Sequence, residues 1–140
     1  MGCVRPSAEG SSQLPEFALS SALNDRRFKP ITLGDLPSLR VGVSLLVDYE
    51  TCSNCYDWVV GTHGIFLEFF DASGGYFSGT FLPEIAPQQF WSVEATVENL
   101  IRKAHYQGVI SKDLLNRMRV QRFQSSQCWL TYDEWRSMIN

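Results

Sequence analysis

Three residues carry the side-chain types of a nucleophilic site: Cys3, His63 and Glu84. A thiol becomes an effective nucleophile when a neighbouring base or cation draws its pKa toward neutrality. Of the two histidines in the chain, His63 lies in Gly61-Thr62-His63-Gly64. Flanking glycines let the backbone bend sharply and offer the imidazole to a cleft, and they serve an ordinary tight turn equally well. If His63 is functional, Cys3 is its natural partner. A carboxylate commonly orients such a base, and Glu84, in Leu82-Pro83-Glu84, is the candidate by position. The opposing reading makes Gly2-Cys3 a small pair packed against a sheet. His105 reads as structural, near a helix end where the C-terminal dipole favours a cationic ring.

The remaining cysteines are Cys52, Cys55 and Cys128. Cys52-Ser53-Asn54-Cys55 is a single CxxC, whereas a structural zinc site takes about four ligands, usually two such pairs. His63 and Cys128 could complete a set only at irregular spacing, so no metal and no cofactor is expected. Without a signal peptide the thiols read as reduced. No phosphate loop, dinucleotide fingerprint, serine elbow or paired-histidine helix occurs. Asp48, Glu50 and Asp57 read as a solvated loop rather than an acid/base set, and the four tryptophans as packing anchors.

Composition bounds the partners. The chain has 140 residues, enough for one domain with a real core, and 44% of them are hydrophobic. Fifteen acidic against twelve basic residues give a net charge of -3, which argues against a general nucleic-acid binder. No apolar run approaches the ~20 residues that span a bilayer, and no secretion signal opens the chain. An intracellular location, cytoplasmic or nuclear, follows as the expectation. Met1-Gly2-Cys3 has the shape of a dual-lipidation site, myristoyl on Gly2 and palmitoyl on Cys3. Acylation of Cys3 would exclude its use as a nucleophile.

Positioning these groups requires mixed elements. Residues 1–12 are small and polar and are expected to be flexible. Pro15 suits a first helical turn, and Phe17, Ala18, Ser21 and Ala22 continue one helical face to Asn24-Asp25. Arg26 and Arg27 follow as a solvated helix end. Leu39, Val41, Val43, Leu45 and Val47 alternate as a half-buried strand, and residues 58–60 suggest a short one. Residues 65–70 and 76–82 flank Asp71-Ala72-Ser73-Gly74-Gly75 as a hairpin. Pro83 and Pro87 end the second hairpin strand. Ser92 N-caps a helix with Val93, Val97, Leu100, Ile101 and Ala104 on one stripe. A helical turn after Ser111, a strand over 118–125 and a last helical turn through Trp135 complete the chain. The mixture predicts an α+β fold, an antiparallel β-sheet flanked by helices in a single compact domain over 1–140.

The order of these parts resembles the AMME chromosomal region gene 1 protein family over nearly the whole chain. The matching segments are Gly2-Cys3, FALSSALNDRRFKPI, LPSLRVGVSLL, DWVVGTHGI, FLPEIAPQQFW, VEATVENLIRKAHYQG and RVQRFQSS. The family fold is an α+β domain around an antiparallel sheet, and the family's activity is unsettled. The chain departs from the pattern at Val4-Arg5-Pro6, where the family usually has Ile-Gly, a Thr and an aromatic. It reads as a short form lacking the portion that usually precedes Gly-Cys.

Two functions are expected from this. The first is an intracellular protein-binding or adaptor module, using an apolar surface at Phe81, Pro83, Phe90 and Trp91. The alternative is a cysteine-dependent enzyme or group carrier, with Cys3 as nucleophile, His63 as base and Glu84 as orienting acid. The resemblance implies partners for that alternative, because family members occur beside Memo-type and radical-SAM proteins in prokaryotes.

Overall fold

A computed structural model describes residues 10–139, with side chains from residue 13 onward. The chain is α+β. Its elements are α1 (Gly10–Leu23), a 3-10 helix (Leu33–Ser38), β1 (Arg40–Thr51), β2 (Gly64–Phe70), β3 (Tyr76–Phe81), α2 (Ile85–Gln88), α3 (Val93–Lys103), α4 (Lys112–Arg117), β4 (Arg119–Thr131) and α5 (Tyr132–Ile139). Four strands form one sheet in the order β1-β4-β2-β3. The expectations for Gly2, Cys3 and the flexibility of residues 1–12 fall on residues 1–9, outside the described residues, or on side chains outside them.

The chain divides into two units, one of residues 47–125 and one of residues 1–46 with 126–140. The core of the 47–125 unit forms between β2 and α3. Ile65, Leu67 and Phe69 alternate inward along β2 and are buried. Val97, Leu100 and Ile101 of α3 share this core with Leu114, Met118 and Val120. Each such side chain contributes about 1.5–3 kcal/mol by leaving water. The helix starts as expected: the Ser92 hydroxyl accepts from Ala95 N–H at 3.2 Å, satisfying one of the free donors of the first turn. Gly79 on β3 lets α3 approach, since a Cβ there would lie 2.9 Å from Leu100 Cδ1.

β2 and β3 pair antiparallel from Ile65 opposite Phe81 to Phe70 opposite Tyr76. The turn between them is held by a carboxylate as much as by glycine. Asp71 Oδ1 accepts from Gly75 N–H at 2.7 Å, Ser73 Oγ at 2.7 Å and Ser73 N–H at 2.9 Å. Gly74 supplies the positive φ, at 86°. β2 also pairs antiparallel with β4, from Gly64 opposite Phe123 to Glu68 opposite Arg119.

Three local expectations are corrected. Residues 58–60 are a turn, not a strand. Trp58 N–H bonds Tyr56 O, Thr62 N–H bonds Val59 O, and the buried Trp58 indole N–H donates to Cys55 O at 3.1 Å. The alternation along β1 does not bury the odd-numbered face. Leu46 is buried while Val41, Val43 and Leu45 are exposed. Asp48, at φ 55, interrupts the alternation as at a β-bulge, and Tyr49 beyond it packs on Phe123 at 5.2 Å between ring centroids. Pro15 lies inside α1 rather than in its first turn, because the helix begins at Gly10.

In the other unit, Asp35 Oδ2 accepts from Thr32 N–H and Oγ at 2.8 and 2.7 Å, capping the 3-10 helix. Tyr132 N–H donates to Leu39 O at 3.0 Å. Trp129 of β4 lies over Gly42 of β1, where a Cβ would come within 2.3 Å of its ring, and Arg40 stacks on the same ring at 4.6 Å. Arg27, one of the two arginines after α1, grips Asp25 with two bonds of 2.9 and 2.6 Å.

Candidate functional site

His63 closes its own turn. Its Nδ1 accepts from Val59 N–H at 3.0 Å, and the His63 backbone N–H donates to Val59 O at 3.0 Å. An Nδ1 that accepts leaves the proton of the neutral imidazole on Nε2. The ring is half-buried and acts as a bracket across residues 59–63. Glu84 is half-buried at the start of α2, and no hydrogen bond or ion pair joins it to His63 among the described residues. Cys3 lies outside the described residues. The structure therefore describes two of the three candidate catalytic groups, and no hydrogen bond or ion pair joins those two.

The turn is anchored from behind by a guanidinium that sequence reasoning passed over. Arg122 on β4 donates through Nε to Glu50 Oε2 at 2.8 Å, and through Nη1 to Asp57 O at 3.0 Å and Oδ1 at 3.1 Å. The Ser53 backbone N–H and hydroxyl bind the other Asp57 oxygen, both at 3.0 Å. These bonds, led by the Ser53 backbone, hold the Asp57 carboxyl below the usual carboxylate range. Glu50 and Asp57 are thus ties for the 52–58 segment, not an acid/base set. Burial pushes the Cys52 and Cys55 thiols up, away from the thiolate form that attacks as a nucleophile. Among the described residues no three His, Cys, Asp or Glu side chains converge to hold a metal ion.

The residues singled out for partner binding behave differently from one another. Pro83 is buried. Phe81 and Trp91 are half-buried and face each other at 5.7 Å, tilted by 49°. Lys103 Nζ sits 4.7 Å over the Phe81 ring and donates to Thr80 O at 2.8 Å. These groups form a braced platform. Phe90 is the exception, 96% exposed and at φ 55.

That geometry follows from how α2 ends. Trp91 N–H bonds Ala86 O at 3.0 Å and Phe90 N–H bonds Pro87 O at 3.1 Å, the paired bonds of a Schellman motif. Phe90 occupies the left-handed position just past the C-cap, where glycine is usual because a Cβ costs about 1–2 kcal/mol. The helix α3 ends in the same way, with His105 at φ 68 and bonds from His105 N–H to Arg102 O and Tyr106 N–H to Ile101 O. His105 is therefore a helix terminator, in keeping with its expected structural role. Nothing in the residue order 85–91 signals a left-handed phenylalanine.

An α+β domain with this strand order and these segments defines a family, and the comparisons agree on which. The sequence model of the AMMECR1 family matches residues 1–128. The chain belongs to the AMMECR1 family. It is 40% identical over 129 residues to an uncharacterized protein of Arabidopsis thaliana, covering 91% of this chain and 60% of that protein. An uncharacterized protein of Schizosaccharomyces pombe is 39% identical over 124 residues, 89% of this chain and 62% of its own. The fold resembles the crystal structure of an uncharacterized protein from Pyrococcus horikoshii, with a TM-score of 0.56 and 24% identity, covering 81% of this chain and 55% of that one. The chain thus spans about three fifths of the length of these relatives. No helix among the described residues is long and apolar enough to cross a membrane.

Proposed function

We propose that this chain is a protein-binding module whose docking anchor is Phe90. One observation carries the reading: a phenylalanine that is 96% exposed stands at a left-handed backbone position suited to glycine. The residue is unfavourable there twice over, through strain and through the exposure of a large ring to water. Both disadvantages are offset if the ring is buried in a partner, since aromatic anchors dominate protein interfaces. Trp91, Phe81 and Lys103 brace the segment so that little ordering remains to be done on binding. The resemblance to a family found beside Memo-type proteins makes such a protein the first partner to test. Titration calorimetry of a Memo-type protein against wild type and Phe90→Gly tests the reading. Binding lost in the variant, with the circular dichroism spectrum unchanged, supports it; equal binding overturns it.

The second reading is a cysteine-dependent enzyme or group carrier, with Cys3 as nucleophile, His63 as base and Glu84 as orienting acid. The half-buried, turn-held ring of His63 favours it, since a base benefits from a fixed position. It requires Nδ1 to release Val59 N–H; Nδ1 then accepts the thiol proton itself, or takes the proton from Nε2 so that Nε2 can accept it.

A further inference from the structure

The turn 56–62 and the segment around Phe90 meet. Gly61, at φ 85, approaches Pro87 closely enough that a Cβ would lie 3.5 Å from the proline Cγ. That contact brings the turn that bears Val59 up against the helix that ends at Phe90. Val59 is 57% exposed and Tyr56 41% exposed, although both lie on a turn tied down by His63, Arg122 and the buried Trp58. Tyr56 sits within the field of Glu94, whose charge disfavours ionisation of the phenol after burial and Cys55 have done so. The side chains of Tyr56, Val59 and Phe90, from two braced segments, are thus left facing water, Tyr56 within reach of Glu94 in the first turn of α3. On that helix Glu94 and Glu98 are both exposed, one turn apart, and neither has an ion-pair partner among the described residues. The cations of α3, Arg102 and Lys103, stand at its other end and are occupied with Tyr106 O, Gly108 O and Thr80 O.

Resting on the docking reading above, we infer that Tyr56, Val59 and Phe90 form one surface, and that its occupant is a protein segment with apolar side chains flanked by lysine or arginine. The apolar residues supply the burial and the rigid turn supplies preorganisation. The two carboxylates on one side, without an ion-pair partner among the described residues, select a cationic flank and disfavour an acidic one.

A library of random dodecapeptides displayed on phage, panned on the wild-type protein, tests this. Selected peptides are synthesised and titrated against Phe90→Gly, Val59→Ser, Tyr56→Ser and the double variant Glu94→Gln with Glu98→Gln. Circular dichroism confirms that each variant is folded. The expected winners carry Lys or Arg beside aliphatic or aromatic residues. They should bind at least tenfold more weakly to Phe90→Gly and to Val59→Ser or Tyr56→Ser. With the double variant they should lose about fivefold at low salt, a difference that closes as salt screens the pair. Peptides that need Phe90 but ignore Tyr56, Val59 and the two glutamates overturn this inference and leave the docking reading standing. No enrichment, or enriched peptides indifferent to Phe90, overturns both.

Discussion

The ring of Phe123 occupies the place where a side chain on Gly64 would begin. The two residues are direct partners in the β2–β4 ladder, and a Cβ on Gly64 would meet the ring at 2.4 Å and the Phe81 carbonyl oxygen at 2.8 Å. Phe123 is fully buried by this arrangement, with Tyr49 against its other side. The glycine serves a close approach, not a turn.

Gly64→Ala should therefore destabilise the fold by about 2–3 kcal/mol, the upper part of the ~1–3 kcal/mol range for an overpacked core, because a backbone neighbour cannot yield. Phe123→Leu in the same chain relieves part of the overlap. Urea unfolding of both single variants and the double variant should give a total smaller than the two separate losses. Simple additivity would show that the ring is free to move aside.

Phe90→Gly should raise stability while abolishing partner binding. Relief of the left-handed Cβ is worth about 1–2 kcal/mol, and the added freedom of glycine in the unfolded chain removes about 0.5–1 kcal/mol of that. The balance is a gain of up to roughly 1.5 kcal/mol, read as a higher thermal midpoint. A lower midpoint would mean that Phe90 packs on the fold it appears in, which would count against an anchoring role.

Acid should weaken the β2–β3 turn through Asp71. The Ser73 hydroxyl, with the backbone N–H of Gly75 and Ser73, holds this carboxyl below the usual range. A depressed folded-state pKa contributes stability that is complete above the unfolded value of about 3.9 and is lost as pH falls through the folded one. Urea midpoints measured from pH 7 to pH 2 should fall less steeply on the acid side in Asp71→Asn than in wild type. Parallel curves would remove Asp71 from the acid transition.

The thiols should react in a fixed order. Exposed Cys128 should alkylate readily, whereas half-buried Cys52 and buried Cys55, their thiols pushed up by burial, should lag well behind. If the protein is a binding module, the Cys3 rate at neutral pH should match an ordinary thiol and be unchanged in His63→Ala. Alkylation resolved by mass spectrometry decides it. A fast Cys3 that slows in the variant would favour the enzyme or carrier reading.

The elements written in local patterns were legible in the residues alone. The stripe from Val93 to Ala104, its Ser92 cap and the hairpin around Asp71-Ala72-Ser73-Gly74-Gly75 each follow from short-range rules. The residues 58–60 misled because Trp58, Val59 and Val60 favour strands, whereas their backbone bonds close a turn fixed by distant Arg122. Helix α2 is hidden by Pro87, although proline is tolerated in a first turn where its missing N–H has no partner. At the candidate site, Phe81, Pro83, Phe90 and Trp91 stood out as a group, but nothing separated the buried Pro83 from the exposed Phe90. That difference is set by two backbone bonds after α2. Tyr56 and Val59 were missed because they join Phe90 only through the contact of Gly61 with Pro87.

Trp91 follows Phe90 in the chain and rests half-buried against Phe81, the ring over which the Lys103 ammonium sits. Indole emission responds to nearby charge and water, so anything that settles on Phe90 alters the surroundings of a fluorophore one peptide bond away. If Phe90 is an anchor, the chain carries a natural dye beside it, and a sample in which Trp58, Trp129 and Trp135 are replaced can report in a cuvette when that ring is covered.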